Sequence, residues 1–145
     1  MKVKAAVAGL AMVAGTVITA APAQATWNDP HVNLSGHLDC GGAQEATWVW
    51  YEASNGERDW ADTSVWTRVN RWVPGVLKLV EVKSYRINLT NVSKDGTQLT
   101  VKVGCKGVLG GRVKEYQTSF GVNRPTFGRS ATRHICYDAP LGCIW

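Results

Sequence analysis

Apolar and polar residues alternate along Val32, Leu34, Gly36, Leu38 and Cys40, with Asn33, Ser35, His37 and Asp39 between them. The same alternation runs through Leu99, Val101, Val103 and Cys105, with Thr100, Lys102 and Gly104 between. A period of two is the pattern of a half-buried strand, because successive side chains leave opposite faces of the pleat. Each cysteine closes its run in phase with the apolar face, so a disulfide between two packed sheets is expected. Further extended runs are Ala46 to Ala53, which carries Trp48, Val49, Trp50 and Tyr51, and Tyr85, Ile87, Leu89 with polar residues between. Tyr116, Thr118, Phe120 and Val122 share another face, and Arg133 to Tyr137 reads as a last strand. Val76 to Lys83 is also extended, with an apolar phase that slips near Val80 and Glu81 as a bulge or bend requires.

Turn residues divide these runs. Asn55-Gly56 predicts a two-residue hairpin whose second strand is Glu57 to Ala61, a register that sets Tyr51 opposite Trp60 and Glu52 opposite Asp59. Asp95-Gly96 predicts a second hairpin from Tyr85 to Cys105, and Gly110-Gly111 precedes a further strand. The exception is Asp62 to Val73, where Val65, Trp66, Val69, Trp72 and Val73 recur at helical spacing and Thr67, Arg68, Asn70 and Arg71 fill the other face. With Asp62, Thr63 or Ser64 as a cap and Pro74-Gly75 as a stop, this predicts a short helix near residues 63–73, against an irregular strand favoured by its β-branched residues.

Seven or eight strands, two widely separated cysteines and a Trp-bearing strand soon after the first of them resemble an immunoglobulin-like β-sandwich over most of residues 31 to 122. In that architecture a disulfide joins strands B and F, and a strand-C Trp packs on it. The chain departs from immunoglobulin domains in three places. Val103 rather than Tyr stands two before the second cysteine, Trp50 follows the first more closely than usual, and the Asp95-Gly96 hairpin falls where strands E and F normally cross between sheets. The expectation is a mostly β chain, an immunoglobulin-like or related antiparallel β-sandwich. Such a frame serves many functions and assigns none.

Composition adds a compartment. Lys2 and Lys4 precede an apolar stretch from Ala5 to about Ala21, and Ala23-Gln24-Ala25 has the small-x-small form of a signal-peptidase site. Residues 1–25 are therefore expected to be a cleaved signal peptide of the Ala-rich bacterial type, and residues 26–145 a single secreted domain of about 120 residues. No basic stop-transfer cluster follows to make an anchor, and no cysteine stands near the cut to make a lipoprotein. The later apolar segments are too short to span a membrane. In a bacterial protein the Asn-x-Ser/Thr triplets at Asn33, Asn88 and Asn91 are accidental.

The formal charge of +5 falls to about +3 without Lys2 and Lys4, and the remaining basic residues are interspersed with carboxylates, so there is no specific nucleic-acid signal. Four cysteines in an exported chain imply two disulfides. Of the three possible connectivities, Cys40 with Cys105 and Cys136 with Cys143 is favoured, the second enclosing the Pro140 and Gly142 turn residues. Zinc-type Cys-x2-Cys spacing is absent, and no cofactor or metal is expected.

Candidate chemistry is sparse. His31, His37 and His134 have no metal-site spacing. His37 and Asp39 share the outward face of one strand, but no Gly-x-Ser-x-Gly nucleophile accompanies them, so a solvated polar face is expected. In the Asn55-Gly56 register, Glu52 and Asp59 would stand about 5 Å apart on one face, a spacing compatible with acid/base work as in retaining glycosidases. Histidine, glutamate and arginine together are also the groups of a small secreted ribonuclease. A stapled Cys136–Cys143 loop carrying Tyr137, Asp138 and Leu141 would suit a protease inhibitor, although tying down a terminus explains it as well.

The strongest hint is aromatic. Trp27, Trp48, Trp50, Trp60, Trp66, Trp72 and Trp145 are too many for a core of this size to hide. Rigid exposed aromatics stack on sugars or anchor protein partners with little entropy to lose. The sequence therefore points to a non-catalytic binding protein for an extracellular carbohydrate or protein. Its contact surface would be Trp48, Trp50, Tyr51 and Trp60, flanked by Arg68 and Arg71 of the expected helix. A small hydrolase or ribonuclease, and then a protease inhibitor, are the alternatives.

Overall fold

The computed structural model describes residues 28–73 and 75–137, and these contain strands but no helix. Residues 1–27, with the expected signal peptide and Trp27, and residues 138–145, with the Cys136–Cys143 pairing and Trp145, lie outside the described residues; Tyr137, expected on an exposed loop, is instead buried and stacked on Tyr116. The strands are β1 (Val32–Asp39), β2 (Gln44–Ala53), β3 (Arg58–Trp60), β4 (Asp62–Val73), β5 (Val76–Leu89), β6 (Thr97–Gly107), β7 (Lys114–Val122), β8 (Ser130–Thr132) and β9 (Ile135–Cys136). One sheet has the order β4-β5-β1-β8, with β9 also on β1, and the other has the order β3-β2-β6-β7.

The alternating runs supply the core. Leu34, Leu38, Tyr85, Ile87 and Leu89 of the first sheet meet Val49, Tyr51, Leu99, Val101, Val103 and Phe120 of the second, all buried. Each such aliphatic side chain contributes about 1.5–3 kcal/mol when fully buried. Cys40, just beyond β1, is bonded to Cys105 in β6, with Cα atoms 5.9 Å apart. The disulfide joins the two sheets, as the phase of the two runs required.

With β1, β2, β4, β5, β6 and β7 in the places of strands B, C, D, E, F and G, the order is that of an immunoglobulin-like sandwich. Two features differ. Strands β8 and β9 occupy the edge where strand A would lie, and both run parallel to β1, so the sandwich is not wholly antiparallel. They close the free edge of β1 through Asn33 N–H to Arg129 O, Arg133 N–H to Ser35 O and Tyr137 N–H to Asp39 O. The core residues of β2 are Ala46, Val49 and Tyr51, while Trp50 lies on the outer face rather than against the disulfide.

Four expectations are corrected. The helix near residues 63–73 is strand β4, paired along its whole length with β5. Its β-branched residues suit an extended backbone. The apparent helical stripe arises because a bulge at Trp66 shifts the register between Val65 and Thr67, and because Val65, Trp66 and Trp72 are exposed on an edge strand rather than packed along one stripe.

The Asp95-Gly96 turn does not make a hairpin. β5 belongs to one sheet and β6 to the other, so the chain crosses between sheets there, as in immunoglobulin domains. Val76–Lys83 and the Tyr85 run are one strand, whose buried set changes from Val80 and Val82 to Tyr85, Ile87 and Leu89.

At the first turn, Ala53 N–H bonds Glu57 O, leaving a three-residue loop with Gly56 at a φ of 95°. This conformation favours glycine and replaces the two-residue turn. The register moves by one residue, to Trp50 opposite Trp60, Tyr51 opposite Asp59 and Glu52 opposite Arg58.

Replacing both Cys40 and Cys105 with Ala should lower unfolding free energy by about 2–5 kcal/mol, because a long loop of the unfolded chain is released. Urea denaturation of the oxidised parent and the double variant measures the difference.

Candidate functional site

Two surfaces gather the chemistry-bearing residues, one on the outer face of each sheet. On the second sheet a bulge between Ala46 and Trp48 changes the phase of β2. Ala46, Val49 and Tyr51 then face the core, while Trp48 and Trp50 both lie outward. The one-residue shift at the Asn55-Gly56 turn brings Trp60 of β3 directly opposite Trp50.

The three indoles meet edge to face: Trp50 and Trp60 have centroids 4.9 Å apart at 72°, Trp48 and Trp60 6.0 Å apart at 84°. Such geometry aligns the positive ring edge with the negative face of its neighbour. Trp60 remains 60% exposed. Trp48 lies over Gly104 so closely that a Cβ there would stand 2.2 Å from the indole nitrogen, and only glycine leaves that room.

Cross-strand pairing sorts this face into rows. One row runs Trp60, Trp50, Lys102, Gln117, and its neighbour runs Arg58, Glu52, Thr100, Ser119. Trp50 Nε1–H donates to Glu52 Oε2 at 3.0 Å, and Lys102 Nζ stands 3.7 Å from the same oxygen. These contacts hold the Glu52 carboxyl below its ordinary range, the Trp50 hydrogen bond more than the Lys102 charge. The hydroxyls of Thr100 and Ser119 are 2.8 Å apart. Indoles are thus bordered by ordered hydrogen-bonding groups on an open face.

The other sequence-derived site residues do not join this cluster. Tyr51 faces the core, where burial first and Asp59 second push its phenol pKa upward. Glu52 and Asp59 are not opposite each other. Glu52 faces Arg58 on the outer side, whereas Asp59 shares the other face with Tyr51, so the register separates the two carboxylates. Arg68 and Arg71 belong to β4 in the opposite sheet. Arg68 is paired with Glu81 at 3.0 Å. Arg71 grips both oxygens of buried Asp39, at 2.8 and 2.6 Å, and also donates to Gly42 O.

The second surface is an open groove of about 480 Å³ on the first sheet, lined by Ser35, His37, Asp62, Ser64, Arg86 and His134 among others. His37 is stacked on Trp66 at 3.5 Å and on His134 at 4.8 Å. Its backbone N–H donates to His134 Nδ1 at 3.0 Å, which leaves the His134 proton on Nε2 in the neutral ring. Asp39 does not orient His37, because its carboxylate is taken by Arg71 and by the Gly41 N–H.

Asp62 and Arg86 also line a smaller hollow that includes Trp60 and Asn88, so the groove continues around the sandwich edge toward the indole cluster. The link exists because the chain passes from β3 in one sheet to β4 in the other through Ala61. Sequence reasoning missed Trp66 and Arg86 here. The sequence carries no local sign of this meeting, since His37 and His134 are 97 positions apart. Among the described residues no group of three or more His, Cys, Asp and Glu is placed to hold a metal ion. No protein-family model, curated protein or solved structure matches this chain.

Two outcomes are expected. The His37 pKa lies below 6.5, through burial and then the His134 charge. The unfolded chain takes up that proton more readily, so neutral His37 contributes stability above about pH 6.5 that declines as pH falls toward the folded value. The NMR titration midpoint of His37 should be below 6.5 and rise only partly in His134→Gln, because burial remains. Asp39→Ala leaves the Arg71 guanidinium, whose side chain is only 14% exposed, without its carboxylate. A loss of about 3–5 kcal/mol in chemical denaturation is expected.

Proposed function

We propose that this chain is an exported, non-catalytic carbohydrate-binding protein whose contact surface is the outer face of β3-β2-β6-β7. The observation that carries the reading is the gathering of Trp48, Trp50 and Trp60 on one open face beside a row of hydrogen-bonding side chains. A sugar ring presents an apolar C–H face and a rim of hydroxyls. Indoles suit the first, and Arg58, Glu52, Lys102, Thr100 and Ser119 suit the second. Export is supported by the signal-like segment at residues 1–25 and by the Cys40–Cys105 disulfide.

A hydrolase or ribonuclease reading draws on the meeting of His37 and His134 in the groove. It has less support, because general acid and base groups must approach opposite ends of a scissile bond, whereas these two rings are stacked face on face.

Titration of the secreted form with soluble polysaccharides, followed by Trp fluorescence and by release of reducing ends, tests the proposal. A spectral shift without turnover is expected. Trp60→Ala should weaken binding by about tenfold or more, the loss of one exposed aromatic anchor, with the thermal midpoint little changed. Unchanged affinity in both Trp60→Ala and Trp50→Ala would overturn this surface. Turnover abolished by His134→Ala would move the function to the groove.

A further inference from the structure

β4 and β5 run on past the rest of their sheet. β1 pairs with β5 only from Leu89 back to Lys83, so from Thr67 to Val82 the two strands form a ribbon paired with each other. Its stem is anchored. Arg71 binds Asp39 and Gly42, and Glu81 N–H donates to Glu45 Oε2 at 2.8 Å. Beyond Arg71 and its partner Lys78, the pairs are Trp72 with Leu77 and Val73 with Val76.

This end of the ribbon is apolar and bare. Trp72 is 78% exposed, Leu79 55%, Leu77 48% and Val76 39%. Directly paired residues share a face and sides alternate along a strand, so Trp72, Leu77 and Leu79 lie on one side of the ribbon and Val76 on the other. A protein groove or a second copy of the chain would cover one side and leave the other in water. A bilayer surrounds an inserted tip from every side. The neighbouring charges complement lipid headgroups: Arg68, Lys78 and Lys83 outnumber Glu81 and Glu45 around the stem, with Arg68 and Lys83 both paired to Glu81 and Arg71 to Asp39. An indole at the boundary between apolar tip and basic collar matches the depth that Trp prefers at a membrane surface.

We propose that the β4–β5 tip inserts Trp72, Val76, Leu77 and Leu79 into the interfacial layer of a membrane containing anionic lipid. This is shallow insertion by a hairpin and needs no spanning segment. No described helix is long and apolar enough to cross a membrane. The anchored stem means that little ordering is required on contact. The site is separate from the indole cluster on the second sheet, and the two can fail independently.

Co-sedimentation of the secreted form with phosphatidylcholine vesicles, with and without phosphatidylglycerol, tests the inference. Binding is expected to be stronger with phosphatidylglycerol and to fall about tenfold or more in Trp72→Ser/Leu77→Ser, which removes two exposed apolar groups. Trp72→Phe is a second probe. It should retain binding to within about threefold while losing most of the fluorescence quenching by brominated acyl chains, because the reporting indole has gone.

Absence of sedimentation with both vesicle types would overturn the proposal, as would equal binding by the double variant. Lipid-free dimerisation abolished by Trp72→Ser/Leu77→Ser would assign the tip to a second copy and overturn it as well.

Discussion

Each sheet of this sandwich can bury only one face, and the tie between Cys40 and Cys105 sets which face that is. The two cysteines sit in phase with Leu34 and Leu38 of β1 and with Leu99, Val101 and Val103 of β6, the inner strands of the two sheets. Because side chains alternate with a period of two, holding one residue inward on each strand assigns every neighbour to a face. His37 and Ser35 are then outward on the first sheet, and Lys102 and Thr100 are outward on the second. Both candidate surfaces follow from that one constraint.

Irregularities in the ladders then place the functional side chains. The bulge in β2 turns Trp48 and Trp50 to the same outer face while keeping Val49 and Tyr51 inside. The three-residue turn at Gly56 brings Trp60 opposite Trp50 and separates Glu52 from Asp59. A one-residue change in register therefore turns a candidate carboxylate pair into an aromatic platform. In β4 the bulge at Trp66 directs that indole onto His37, and beyond it Arg71 reaches Asp39. Arginine, expected to flank a ligand, instead anchors the ribbon to the body of the protein.

Extended runs with one face against a well-packed neighbour were legible from residue order. The runs ending in Cys40 and Cys105 became β1 and β6, and their phase required the inter-sheet disulfide. Strand β4 was not legible because it lies at an edge. Edge positions are under weak pressure to alternate, and the scatter of Val65, Trp66, Val69 and Trp72 imitates a helical stripe. The Asp95-Gly96 crossing was misread for a related reason. A turn dipeptide reports that the chain reverses, whereas the partner of each following strand is chosen by long-range packing.

The indole cluster was half legible: the sequence showed that some tryptophans must be exposed, and tertiary structure exposed Trp60, Trp66 and Trp72, gathered half-buried Trp48 and Trp50 around Trp60, and consigned Tyr51 to the core. By itself the sequence determined the mostly β character, the likeness to an immunoglobulin sandwich and the phase of the central strands, because these depend on periodicities of a few residues. Only tertiary structure decided the sheet crossings, the two registers and the meeting of His37 with His134, because each depends on contacts between segments far apart in the chain whose energies no local pattern encodes.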